Sequence, residues 1–174
     1  MARITIHERG EFLSDAVFAA SDGMVTTFAI VAGSAGASLE SSIVLILGFA
    51  NLFADGFSMA SGNYLGLKSE IQYEEAKGKD ARQEGSPFKH GFVTFIAFDV
   101  AGLIPLIPFL FHFQSPFITS TILVGSSLFL VGFLRTIYTK KKAFQSGIET
   151  FTIGGFAAFV SFTVGYLLRN FVLN

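Results

Sequence analysis

Three aspartates and a methionine carry the chemistry that this sequence offers. Asp22, Asp55 and Asp99 each stand inside a long apolar run, and Met59 follows Asp55 by one helical turn. Asn51, Asp55 and Met59 are spaced i, i+4, i+8, so on a helix they form one stripe, with Ser58 and Gly62 beside it. An aspartate near the middle of a membrane helix costs roughly 2.5–3.5 kcal/mol on insertion scales, and such residues usually serve a pathway or a partner. Carboxylate oxygens are hard ligands and the thioether is a soft one, a mixture that suits a divalent transition metal. Metal and protons compete for the same oxygens, so such a site can exchange one for the other. Each residue also has a structural reading. Asp22 would cap or pack near the interface, Asp55 would bond Asn51 or a serine, and Asp99 would bond a neighbouring helix. Met59 alone would fill a gap in the core. Asn51 fits either role, as an amide-oxygen ligand or as a link between helices. His7, His90 and His112 lie at ends or links and are not spaced as a cluster, so they are left out of the metal set.

The elements that position these residues follow from composition. The chain has 174 residues, of which 51% are hydrophobic and 14% charged. Soluble domains carry about 25% charged residues. Mean hydropathy is +0.58. Five apolar segments, at about 16–37, 43–67, 91–113, 118–138 and 150–172, approach or exceed the roughly 20 residues that span a bilayer. The expectation is an all-α integral membrane protein, one five-helix domain over 1–174 with a short charged link at 68–90. With no cysteine, disulfides, thiolate metal sites and cysteine catalysis are excluded. The polar, mixed-charge lead does not look like a cleavable signal peptide, so the first run is read as a retained helix. Nothing suggests a nucleic-acid partner or a permanently bound cofactor.

Basic residues set the expected topology. Arg3 and Arg9 precede the first span, Lys68, Lys77, Lys79, Arg82 and Lys89 fill the second link, and Arg135, Lys140, Lys141 and Lys142 surround the end of the fourth span. The links at 38–42 and 112–117 have no lysine or arginine. By the positive-inside rule this is an N-in, C-out protein. At 1.5 Å per residue, Asp22 lies roughly 9 Å from the inner end of its helix, Met59 and Asp99 about 12 Å, and Asp55 about 18 Å. Three helices therefore bring these groups to within one or two turns of a common depth. Pro105 and Pro108 predict a kink in the outer third of the third span. The stripe Ala54, Ser58, Gly62, Gly66 predicts tight helix packing. In the second link, Glu70 and Glu74 share a helix face, and with Glu75 they form a candidate cytoplasmic collection point for metal; a solvated charged face is the competing reading.

These residues also resemble a known family. Ser21-Asp22-Gly23-Met24-Val25-Thr26 and Ala29-Ile30-Val31-Ala32-Gly33 are similar to the first-helix signature of the vacuolar iron transporters. Phe57-Ser58-Met59-Ala60, Gly62-Asn63-Tyr64-Leu65 and Lys68-Ser69-Glu70 are similar to the second-helix signature, and Pro105 and Pro108 to the third-helix proline pair. The resemblance spans nearly the whole chain. It implies five membrane helices per protomer, a homodimer, and export of ferrous iron, often with manganese, from the cytoplasm in exchange for protons. It matches Asp22 to a metal-binding aspartate and Met59 to a methionine ligand. Two departures stand out. Asn51 occupies the place of a glutamate, while Asp55 and Asp99 occupy places of small or apolar residues, as if the carboxylates had been redistributed. The link at 68–90 is too short for the helical metal-capturing domain that many members insert there, so the chain reads as a short member. Implied partners are divalent metal ions, protons, membrane lipid and a second copy. The membrane is the cell membrane in a prokaryote and an organelle membrane in a eukaryote.

A non-transporting metal-binding scaffold or sensor is the competing class. An intramembrane aspartyl protease, with Asp55 and Asp99 as a dyad, lacks its glycine-x-glycine-aspartate context, because Asp55 follows Phe53-Ala54. No enzymatic activity is expected.

Overall fold

A computed structural model describes residues 6–78, 85–139 and 142–172. Arg3, Lys79, Arg82, Lys140 and Lys141, which enter the topology argument, lie outside the described residues. The helices are α1 (Ile6–Gly36), α2 (Ser41–Ala76), α3 (Pro87–Gly102), α4 (Ile107–Leu110), α5 (Pro116–Thr139) and α6 (Ala143–Val172). No strand occurs among the described residues. Five helical stretches are long and apolar enough to cross a membrane, α3 and α4 together making the third.

The helices outrun the apolar segments that announce them. α1 begins at Ile6 and α6 at Ala143, where apolar patterning alone places starts near 16 and 150. α2 continues to Ala76, past the apolar run that ends near 67. Apolar length reports the bilayer-facing part of a helix, whereas backbone hydrogen bonding carries it on into the polar ends. The proline pair breaks the third span rather than bending it. The α-helical pattern stops at Gly102, a 3-10 turn covers Ile104–Leu106, and α4 resumes at Ile107. Ser120 Oγ donates to the Pro105 carbonyl at 2.8 Å and so ties α5 to the break.

α1 is the central helix. Gly23 packs on the Phe98 carbonyl and Asp15 meets His90, so α3 runs parallel to α1. Gly33 packs on Ser161 and Gly36 on Phe162, so α6 runs parallel to it on another side. α2 lies antiparallel to α3, with Gly48 against Leu106, Gly56 against Asp99 and Gly91 against Ala60. α5 lies antiparallel to α6, with Gly132 against Ser146 and Gly125 against Phe151. The start of α1, the α2–α3 link and the α5–α6 link therefore share one end of the bundle. Phe98, Met24, Leu52, Leu106 and Leu128 are buried between the helices. Much of the outer surface is apolar. α6 is hydrophobic along its length, yet only 6% of its apolar window is buried, and Phe57, Phe156 and Phe171 point outward. Such a surface is stable against lipid and not against water.

The small-residue stripe of α2 does not pack inside the chain. Gly62 and Gly66 have open space where a side chain would stand, and Ala54 and Ser58 are exposed. The inward stripe is instead Val44, Gly48, Leu52 and Gly56.

Candidate metal centre

α1 supplies Asp22 from a segment that packs as closely as backbone allows. A Cβ on Gly23 would lie 2.3 Å from the Phe98 carbonyl oxygen, so only glycine admits α3 here. The contact fixes Asp22 at the level of residues 97–99 on α3. Asp22 is half-buried, and Asp55 lies close enough for the two charges to repel. Thr26 Oγ1 donates to the Asp22 carbonyl at 2.9 Å, so its hydroxyl is engaged with backbone one turn away.

α3 supplies Asp99, which is 8% exposed. Its carboxylate lies flat on α2 at Gly56, where an added Cβ would stand 2.5 Å from Oδ2. Neither carboxylate oxygen has a hydrogen-bond partner. A buried, ionised carboxylate with both oxygens unsatisfied is costly, and either a proton or a cation removes the cost.

α2 supplies the Asn51, Asp55, Met59 stripe. All three are half-buried, and Met59 packs on the edge of the hydrophobic core. Asp22, Asp55 and Asp99 thus occupy one level on three adjoining helices. They do not close a cage. Among the described residues, no three His, Cys, Asp or Glu side chains converge tightly enough to hold a metal ion. Asp22 lines a cavity on the α5–α6 side of α1, while Asp99 is turned onto α2. At the α2 end, Glu70 and Glu75 are exposed, while Glu74 is half-buried and engaged with a neighbour.

Sequence reading passed over one buried pair. His90 is 2% exposed, stacks on Phe12 at 4.0 Å between ring centroids, and places Nδ1 2.5 Å from Asp15 Oδ2. The two residues are 75 positions apart, so spacing gives no sign of the contact. The parallel packing of α1 and α3 brings the two together. His112 sits in the α4–α5 turn with a positive φ of 53°, away from these carboxylates. The side chain of His7 is outside the described set.

Comparison with known proteins gives the family. The profile of the VIT family matches residues 13–85 and 77–166. The two parts of the match meet in the α2–α3 link. "Vacuolar iron transporter 1" of Eucalyptus grandis is 27% identical over 219 aligned positions, covering 92% of this chain and 88% of the relative. That alignment is longer than this chain, so the relative carries residues without a counterpart here. "Vacuolar iron transporter" of Toxoplasma gondii is 26% identical, over 91% of this chain and 75% of its own length. "Vacuolar iron transporter homolog 4" of Arabidopsis thaliana is 28% identical over 168 positions, covering 91% of this chain and 84% of the relative. With the family profile matched on both sides of the α2–α3 link and over most of its length, the chain belongs to the VIT family.

Proposed function

We propose that the protein binds a divalent transition metal, iron or manganese, at Asp22, Asp55, Met59 and Asp99, and moves it out of the cytoplasm in exchange for protons. The observation that carries this reading is the Asp99 carboxylate, buried in an apolar bundle with neither oxygen partnered, at the same level as Asp22 and Asp55 on the adjoining helices. Relatives named as vacuolar iron transporters supply the cargo class. Asn51 lies one turn outward of Asp55 and offers an amide oxygen without a charge. Once ionised, the carboxylates hold metal, and once protonated they release it, so a proton gradient drives the exchange.

The end of the bundle that carries Arg9, Lys68, Lys77, Lys89 and Lys142 is read as cytoplasmic, with the C-terminus outside. A second copy is expected on the outward small-residue stripe of α2, beside the Asn51–Met59 stripe. That contact would set two half-open carboxylate groups near each other. Glu70, Glu74 and Glu75 extend α2 on the cytoplasmic side, where they concentrate cations. The membrane is an organelle membrane in a eukaryote, as the relatives' names suggest, and the cell membrane in a prokaryote. The test is metal uptake with simultaneous pH recording in proteoliposomes. Ferrous iron or manganese flux that requires Asp22 and Asp55 and moves protons the other way is expected. Metal binding without flux would replace the transporter with a scaffold or sensor.

A further inference from the structure

One cavity among the described residues lies away from Asp55 and Asp99. It lies between α1, α5 and α6, has a volume of about 500 Å³, and sets Ser14, Ser21, Asp22, Thr150, Arg135 and Glu149 in a wall that is otherwise apolar. Its lining from α1 runs from Gly10 to Val25, so it reaches from the end of the bundle to the level of Asp22. Arg135 and Glu149 come from the last turns of α5 and the first turns of α6, at that same end. Their closest charged atoms are 3.5 Å apart, and the side chains are 43% and 65% exposed. Arg135 also donates to Ser146 Oγ at 3.1 Å, which holds the guanidinium against α6.

We propose that this cavity is the cation's access route to Asp22, and that Glu149 is the first carboxylate the ion meets. The inference rests on the transport reading above and adds the route and its entrance residue. Four features favour a polar route over a lipid-filled cleft. The cavity contains an ion pair, hydroxyls line the way inward, it ends at a carboxylate that the fold does not neutralise, and it opens at the end where both charged links lie. The long, exposed Arg135–Glu149 pair is weak, because exposed ion pairs contribute about 0–1 kcal/mol. A divalent cation therefore displaces Arg135 from Glu149 at little cost. Arg135 remains on Ser146 and, when the ion has moved inward, returns to Glu149. The entrance charge acts on capture, whereas Asp22 acts on the bound ion.

Two measurements on the full chain in liposomes test this. The first is initial Mn²⁺ uptake against Mn²⁺ concentration. Glu149→Gln is expected to raise KM roughly three- to tenfold with kcat and the thermal midpoint unchanged, and the difference is expected to shrink at high ionic strength. Arg135→Gln is expected to lower KM. The second uses the absence of native cysteine. Ser14→Cys and Thr150→Cys are expected to react with a charged, membrane-impermeant thiol reagent, and Mn²⁺ is expected to slow them. Leu130→Cys, exposed on α5 outside the cavity lining, serves as the lipid-facing control. If the parent moves Mn²⁺ but the two thiols react no faster than Leu130→Cys and Glu149→Gln leaves KM unchanged, the route is wrong and transport stands. If the thiols react and Mn²⁺ protects them while the parent shows no flux, the route stands and the transport reading falls. A Glu149→Gln protein that loses kcat and thermal midpoint together would make Glu149 a structural link between α5 and α6, and would overturn its role at the entrance.

Discussion

Replacing Asp22 or Asp55 by asparagine keeps the shape and removes a charge that its neighbour repels. Metal flux is expected to fall by at least roughly 10- to 100-fold, the loss that even outer-shell changes cause at metal sites. The thermal midpoint of the purified protein is expected to stay or rise, since functional groups are often held at a cost to stability. Parallel loss of flux and midpoint would mean that the aspartates hold the fold. His90 gives the opposite pattern. His90→Ala strips Asp15 of its partner in a half-buried setting and is expected to cost roughly 1–3 kcal/mol, read as a lower midpoint. Flux per folded molecule is expected to persist, because the partners of His90 are Asp15 and Phe12, two turns of α1 before Asp22. Both outcomes turn on groups whose types were legible in the sequence. Asp22, Asp55 and Asp99 announce themselves because a charge inside an apolar run is costly and rarely kept without a role. His90 does not, because a histidine at a link is ordinary until its partner 75 residues away is known.

At the scale of elements, glycine decides how the aspartates meet. The Gly23 position admits the Phe98 carbonyl of α3 and nothing larger. Gly23→Ala would set Cβ against backbone, which cannot swing aside, and is expected to cost about 1–3 kcal/mol as overpacking does elsewhere. It would also part α1 from α3 beside Asp22, so flux is expected to fall with the midpoint. Thermal melts followed by size-exclusion recovery read the first effect, and uptake reads the second. The five spans were legible because lipid demands long apolar helices. Their starts at Ile6 and Ala143 were not, since the polar ends carry no apolar signal. The proline pair marked the right place in the third span, but not that the break would take the form of a 3-10 turn with its Pro105 carbonyl accepting from Ser120 of α5. The stripe from Ala54 to Gly66 predicts close packing, and no helix of the same chain packs on it. Small residues say that a helix can be approached closely, and only the assembled bundle shows that Gly48 and Gly56 take the approach within the chain.

The whole molecule is left with a face that its own helices do not use. Gly62 and Gly66 stand on the outer side of α2 with nothing within 4 Å of an added Cβ. A leucine at either position therefore starts into open space, and its main effect on folding is expected from the helix itself, where leucine is more favourable than glycine by most of about 1 kcal/mol. A second copy docked on this stripe would meet the leucine directly, because close approach of membrane helices depends on small residues there. Gly62→Leu with Gly66→Leu is thus expected to raise or preserve the thermal midpoint of the protomer while converting a dimer to a monomer. Light scattering in detergent, corrected for bound detergent, measures the mass. Gly66→Cys in the otherwise cysteine-free chain measures proximity in the membrane, with a disulfide-linked dimer expected on mild oxidation. Loss of flux in the double-leucine protein, alongside an intact fold, would show that transport needs both copies. A protein that stays dimeric with leucine at both positions has its interface elsewhere, and the outward stripe of α2 then faces lipid.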